Sequence, residues 1–598
     1  MERRLLEAQK SAHKLWTAAL ESIAPISRQP DTTLPIVLEG LAEKCESSPA
    51  LISETGTLSY RALVERSNQY AQWAIGQKLV VGKTVCLLMN NCPEYFAIWL
   101  GITKVGGAVA LINTNLSGSS LAHCINAVDP EHVIAGVEFA DRIASISRQL
   151  LPRVKFWTHG GDANGFCRIE TALQSSANAL LVSSDYHRPT IKDRALYIYT
   201  SGTTGVPKAA SVSHFRLMQW SFWFAGMMET RSDDRMYDCL PMYHSVGGVV
   251  AIGAVLVRGG SVLLRETFSA RRFWDDIVKW NCTLFQYIGE LCRYLVNSPE
   301  HPLETAHSLR LCCGNGLSGS IWDMFRERFK IPRILEFYAA TEGTFSLYNC
   351  EGKSGALGRV PSYLMHRFPM ALVAFDKDSC APLRDENGFC VRCRQGEIGE
   401  AIGKIVVNGR AAAGQFEGYS DPIASEHKLL RNVFADGDVW FRTGDLMRQD
   451  AEGYFYFVDR IGDTFRWKGE NVSTSEVADI ICRYPGVSEA AVYGVPVPGT
   501  EGRAGMAAAV VTEKFDIAHF RAYLVSNLPQ YARPLFLRLA NQLDVTATFK
   551  LQKNSLVSEG YDPSVTTEPI YFNNPEHDEF VRMDSDLYQH ILAGQLRI

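Results

Sequence analysis

Residues 199–208 read YTSGTTGVPK. Gly202 and Gly205 permit backbone angles that turn successive N–H groups toward an anion, and Thr200, Ser201, Thr203 and Thr204 add hydroxyl donors. Lys208 contributes a cation, and Pro207 stiffens the exit. Such a loop is suited to holding phosphate. It lacks the GxxxxGK(S/T) spacing of the common phosphate loop, so the kinase chemistry of that loop is not expected. Three further glycine-bearing loops carry polar groups: Gly289–Glu290, Gly314–Asn315–Gly316 and Thr341–Glu342–Gly343.

The segments between these loops have to position them. FSARRFWDDIVKW (268–280) reads as a helix with Ser269 as N-cap and Phe273, Trp274, Ile277 and Val278 on one face. TLFQYI (283–288) reads as a strand, 289–298 as a helix that stops before Pro299, and 308–313 as a second strand ending in the 314–316 turn. A helix over 318–330 and a strand over 333–343 follow. This repeated order predicts an α/β fold, with a large N-terminal domain of parallel-type sheets and helices. In such a sheet the loops at the carboxyl ends of the strands gather ligands.

Near residue 460 the texture changes. IGDTFRWKGENVS (461–473) is polar and glycine-containing, 490–495 reads as a short alternating strand, and 518–528 as an amphipathic helix. The expected division is 1–460 and 461–598, the second part a small mobile α+β domain reached through a linker at 460–463.

At 598 residues the chain is too long for one core, and 46% hydrophobic with 21% charged residues is ordinary for a globular enzyme. A net charge of −5 with no basic stripe argues against nucleic acid as a partner. No block of lysines and arginines predicts strong attraction to an anionic membrane. Residues 1–23 have a helical apolar period broken by charges, unlike a signal peptide. The apolar runs at 246–257 and 95–112 are too short or carry Lys104, and read as buried core. The 15 cysteines have no framework spacing and fit reduced thiols, so a soluble, cytoplasmic protein is expected, with peripheral membrane contact and a homodimer left open. Cys390 and Cys393 form a CxxC without the second pair that zinc needs, and read as a surface hairpin with two thiols. His244, in LPMYHSVGG, falls in a loop after a strand.

In order along the chain, YTSGTTGVPK, YAATEG (338–343), FRTGD (441–445), FVDR (457–460), WKGENVS (467–473) and TFKLQK (548–553) resemble the motifs of the adenylate-forming superfamily. The stretches 268–295 and VPGTEGRAGMAA (497–508) are similar to its fatty acid transport protein and very-long-chain acyl-CoA synthetase branch. The resemblance implies ATP, Mg2+ and coenzyme A as cofactors, and a two-step reaction. A carboxylate attacks the α-phosphate of ATP, and the thiol of coenzyme A then displaces AMP from the acyl-adenylate.

The same resemblance assigns roles. Glu342, beside Thr341, would hold Mg2+, and Lys208 and Lys550 would neutralise developing charge. Tyr338 would stack on an adenine lying against Gly314, Asn315 and Gly316. Asp445 and Arg460 would take the ribose, Gly469 would line the coenzyme A tunnel, and Gly462 would serve as hinge. His244, Gly289 and Ala339 would border the acyl pocket, Ala339 standing where the family usually has glycine. The implied activity is ligation of a long- or very-long-chain fatty acid to coenzyme A. A bile-acid, aromatic or carnitine-like carboxylate, a carrier-protein acceptor, and a fatty acid uptake role stay open at this stage.

Overall fold

Continuous apolar runs make the central strands. Thr84–Leu88 and Ser261–Leu264 are buried at every position, as strands covered by helices on both faces must be. The structure is a computed structural model, which describes residues 2–596 except 80, 175–185, 202–206, 377–380, 407–415, 469, 499, 501, 547–550 and 575–576.

Among the described residues, one sheet runs in the order Ser346–Asn349, Ile334–Ala339, Leu311–Asn315, Leu284–Ile288, Arg235–Asp238, Ser261–Leu264, Pro49–Ser53, Gly56–Ser59. Its interior pairs are parallel and its two outermost pairs antiparallel. A second sheet is parallel from Cys167–Arg168 through Lys155–His159, His132–Gly136, Thr84–Leu88 and Ala108–Leu111 to Arg194–Ser201. Pro207–Ser213 then adds on antiparallel, with Thr200 opposite Lys208. Thr200 and Ser201 on one side and Pro207 and Lys208 on the other are therefore paired strand residues.

The helix Glu2–Ile23 seats Trp16 edge-on against Trp223, Tyr348 and Phe368, which ties the amino-terminal segment to the helix His214–Met227. A third, antiparallel sheet contains Met370–Asp376, Ile398–Lys404, Val439–Gln449 and Phe455–Arg460. Beyond it, one apolar cluster is drawn entirely from residues between Phe465 and Ile591, around the strands Val487–Val495, Ala504–Val511 and Phe536–Ala540. Arg293 reaches across to this part, donating to the Ser488 carbonyl at 3.2 Å.

Several local expectations need correction. The strand expected at 308–313 is Leu311–Asn315, because parallel pairing carries the ladder on through Ile288 opposite Asn315; Gly314 and Asn315 are strand residues and the turn is at Gly316. The segment 490–495 lies in Val487–Val495, where the last six positions are all buried, so no alternation is present. Ser269 occupies the N-cap position of Ala270–Lys279, yet its side chain makes no capping bond. Cys390 does close a hairpin, opposite Arg384, but its side chain is buried beside Val433 and Trp440 and not on the surface.

Candidate active site

The strand Ile334–Ala339 ends at the point where the chain delivers Tyr338, Ala339, Thr341 and Glu342 in quick succession. Tyr338 donates its hydroxyl to Asp445 at 2.5 Å. Asp445 sits within the strand Val439–Gln449, directly across the ladder from Arg460, and the two form an ion pair at 3.3 Å. Burial, then the Asp445 carboxylate, push the Tyr338 phenol well above its ordinary pKa, so it stays protonated as a donor.

Glu342 is 7% exposed and accepts a hydrogen bond from the Tyr419 hydroxyl at 2.5 Å. The Lys208 ammonium lies 5.9 Å from the centre of the Tyr419 ring. Thr341 shares a 3.2 Å hydroxyl–hydroxyl bond with Ser245, and its carbonyl accepts from Arg216 Nη1 at 2.6 Å. Arg216 is buried and ion-paired with Glu417 at 3.5 Å. Thus Lys208, Thr341, Glu342, Tyr338, Asp445 and Arg460, drawn from all three sheets of the larger part, converge. Ser201 ends its strand beside them, opposite Pro207.

Beside this group is a cavity of about 90 Å³ lined mainly by apolar side chains, among them Trp220, Trp223, Phe224 and Phe345, together with Arg216 and Ala339. Of the three residues expected at the acyl pocket, Ala339 lines this cavity, and His244 and Gly289 are not among its lining residues. The His244 ring packs at a tilt against that of Tyr243, 4.6 Å between centroids, and its chain neighbours Ser245 and Val246 line the cavity. Gly289 packs on the 314–316 segment, where a Cβ on it would stand 1.8 Å from the Gly316 carbonyl oxygen.

Under that segment, Glu336 accepts from the Leu317 N–H at 3.1 Å and from the Tyr287 hydroxyl. Burial pushes its pKa up to about 8. A carboxyl raised from 4.5 to about 8 on folding disfavours the folded state progressively as pH rises through that window. Glu336→Gln keeps an acceptor for Leu317 and cannot ionise. Its melting temperature is expected to match the parent near pH 4.5 and exceed it by several degrees at pH 8 to 9, with little change in nucleotide affinity; a pH-independent difference would contradict the buried ionisation.

Lys550, Gly469, Gly202, Thr203, Thr204 and Gly205 lie outside the described residues. Near them in sequence, Lys553 donates to Thr474 Oγ1 at 2.8 Å and pairs with Asp463 at 3.5 Å. Gly462 has φ +98°, and no atom lies within 4 Å of where its Cβ would be, so backbone conformation and not packing calls for glycine there. Sequence reasoning missed Arg216, Tyr419 and Lys428. The only signal for the first is its place ahead of the aromatic run QWSFWF (219–224).

No three His, Cys, Asp or Glu side chains cluster as a metal site among the described residues. Glu342 alone suits a hard cation that takes its remaining ligands from phosphate and water, the usual habit of Mg2+.

The model of the AMP-binding enzyme family matches residues 38–410, and that of the AMP-binding enzyme C-terminal domain matches 476–550. Long-chain fatty acid transport protein 1 of Mus musculus is 39% identical over 577 residues, 96% of this chain and 89% of the relative. Long-chain fatty acid transport protein 6 of Mus musculus is 39% identical over 555 residues, 92% of this chain and 88% of the relative. The crystal structure of the anthranilate CoA ligase AuaEII in complex with anthranoyl-AMP shares the fold, with a TM-score of 0.75 and 21% identity over 88% of this chain and 97% of that one. The two family matches and the identity to these relatives agree, and the chain belongs to the AMP-binding enzyme family and, within it, to the long-chain fatty acid transport protein group.

Proposed function

We propose that the chain is an ATP-dependent ligase that joins a long- or very-long-chain fatty acid to coenzyme A. The observation that carries this reading is the apolar, aromatic-walled cavity adjoining Thr341 and Glu342, with the buried Arg216 cation at its edge. Apolar walls favour an alkyl chain, and a single cation suits its carboxylate. The names of the relatives support the same substrate class.

In the first step a carboxylate oxygen bonds to the α-phosphorus, the bond from that phosphorus to the bridging oxygen breaks, and its electron pair leaves with pyrophosphate. Asp445 accepts from the ribose hydroxyls, with Arg460 alongside, while Tyr338 holds Asp445 in place. The 314–316 segment backs the adenine. Glu342 is the residue to hold Mg2+, which supplies charge neutralisation on the phosphates. Lys208 and Lys550 meet charge growing on phosphate oxygens. In the second step the coenzyme A sulfur attacks the acyl carbonyl and AMP leaves. We assign residues 1–460 to the nucleotide- and acid-binding domain and 461–598 to a mobile domain that turns about Gly462 and brings Gly469 to the coenzyme A path. No helix among the described residues is long and apolar enough to cross a membrane. We place the reaction in the cytoplasm with peripheral contact to a membrane, in keeping with the names of the fatty acid transport relatives.

Product analysis tests the reading. With a long-chain fatty acid, ATP, Mg2+ and coenzyme A, each turnover is expected to give one acyl-CoA, one AMP and one pyrophosphate. ADP and phosphate in their place would contradict it. Ala339→Leu tests the pocket. The larger side chain is expected to lower kcat/KM for long chains about tenfold while sparing short ones, consistent with steric exclusion of a few methylenes. An unchanged chain-length profile would move the acyl path elsewhere.

A further inference from the structure

Lys428 belongs to none of the motifs, yet its ammonium reaches the strand that carries Asp445, at the Thr443 carbonyl two residues before it. The residue leads into the strand Leu429–Arg431, and the Lys428 carbonyl accepts from the Arg442 N–H at 2.8 Å. This bond fixes its backbone against Val439–Gln449, the strand that carries Asp445. The side chain is half-buried, with Nζ 5.5 Å from the centre of the Phe441 ring and 3.3 Å from the Thr443 carbonyl, a weak bond for an ammonium.

Four charged groups face it: Glu342, Asp445 and Glu400, which favour its charge, and Lys208, which opposes it. Glu400 is already engaged, accepting from Arg442 Nε at 3.0 Å and Nη2 at 2.7 Å. Beyond Glu400, the negative charges around Lys428 are Glu342 and Asp445, which have Tyr419 and Arg460 as their own partners. Those are the two carboxylates assigned to Mg2+ and to the ribose. Burial lowers the Lys428 pKa below that of an ordinary lysine, against the pull of all three carboxylates. A lysine recruited only to brace the sheet would have taken Glu400, which lies in the neighbouring strand and is fully buried. Arg442 has that place.

We propose that Lys428 is a catalytic cation of this site, its ammonium binding an oxygen of the nucleotide's α-phosphate. This rests on the adenylate-forming reading above. A nucleotide whose ribose lies on Asp445 and whose metal-bound phosphates lie toward Glu342 carries its α-phosphate between those two carboxylates. Lys428 bonds the Thr443 carbonyl, two residues before Asp445, within electrostatic reach of both carboxylates. Once the ribose hydroxyls engage Asp445 and a cation engages Glu342, both carboxylates are spent, and the phosphate oxygen becomes the anion nearest the ammonium. The charge then acts on the reacting phosphorus, helping it accept the carboxylate oxygen as pyrophosphate departs.

The test compares AMP with adenosine, which lacks the phosphate, by calorimetry on the full chain. Lys428→Gln is expected to weaken AMP binding about 10- to 100-fold, the worth of one charged hydrogen bond, and to leave adenosine binding unchanged. Lys428→Arg is expected to keep AMP affinity within about fivefold, because it retains the charge. Pyrophosphate release by Lys428→Gln is expected to fall about a hundredfold. Equal weakening of both ligands would make Lys428 a structural brace and overturn the proposal, as would parental AMP affinity in Lys428→Gln. Failure of the parent protein to bind either ligand would overturn the nucleotide site itself, and this role with it.

Discussion

Lys550→Ala is expected to slow pyrophosphate release from ATP and fatty acid about a thousandfold, while supplied acyl-AMP is still converted to acyl-CoA within about tenfold of the parental rate. The asymmetry follows from where charge appears. In the first step negative charge builds on the oxygens of the α-phosphate and of departing pyrophosphate, and a cation held there lowers the barrier without having to reorganise water. In the proposed second step the sulfur attacks a carbonyl carbon, and the proposed turn of the small domain would exchange Lys550 for Gly469 at the site. Loss of both half-reactions to the same extent would contradict this division of labour. Because TFKLQK is the whole basis for the assignment, Lys553→Ala is the natural control. Lys553 bonds Thr474 and Asp463, both within 461–598, so its loss is expected to loosen the small domain itself and to slow both half-reactions alike.

Glu342→Ala is expected to cost pyrophosphate release about 100- to 1,000-fold, and to raise the Mg2+ concentration needed for half-maximal rate about tenfold or more. The carboxylate is buried and has Tyr419 as donor, with the Lys208 ammonium over the same ring. It is held in one orientation by neighbours that cannot themselves bind a metal cation strongly. Its removal also leaves the Tyr419 hydroxyl without this acceptor, a destabilisation of about 1–3 kcal/mol. Tyr419→Phe separates the two effects: it is expected to shift melting temperature modestly and to leave the Mg2+ titration near that of the parent. A Glu342→Ala protein with an unaltered Mg2+ titration would remove Glu342 from the metal site.

Much of this was legible because the chemistry demands loops with particular backbones. Gly-Asn-Gly, Thr-Glu-Gly and the phosphate-type loop announce themselves by residue type, and strands that end in them follow from apolar runs of five or six residues. What was not legible is juxtaposition. Glu342 and Tyr419 are 77 residues apart, and nothing in the segment around Tyr419 reveals that its hydroxyl reaches a carboxylate on another sheet. Arg216 and Lys428 were hidden for the same reason: an isolated cation on a helix or before a short strand is usually solvated, and only burial and neighbours single it out. The expectation of alternation at 490–495 failed because Val487–Val495 is covered on both sides, where the period of two disappears. Gly289 was placed at the acyl pocket by resemblance alone, and sequence does not reveal that its absent side chain lets the Gly316 carbonyl approach. His244 sits one residue from the cavity lining, an offset that a loop without periodicity does not reveal.

The central claim is carboxylate activation by transfer of AMP. Its most direct measurement is pyrophosphate release across a panel of acids, from acetate through very-long-chain fatty acids to aromatic and steroid carboxylates, with and without coenzyme A. The account predicts release that rises with chain length into the long-chain range, with acyl-CoA appearing only when coenzyme A is present. Silence across the panel from protein that binds fatty acid would contradict it, and would shift the function to binding or uptake.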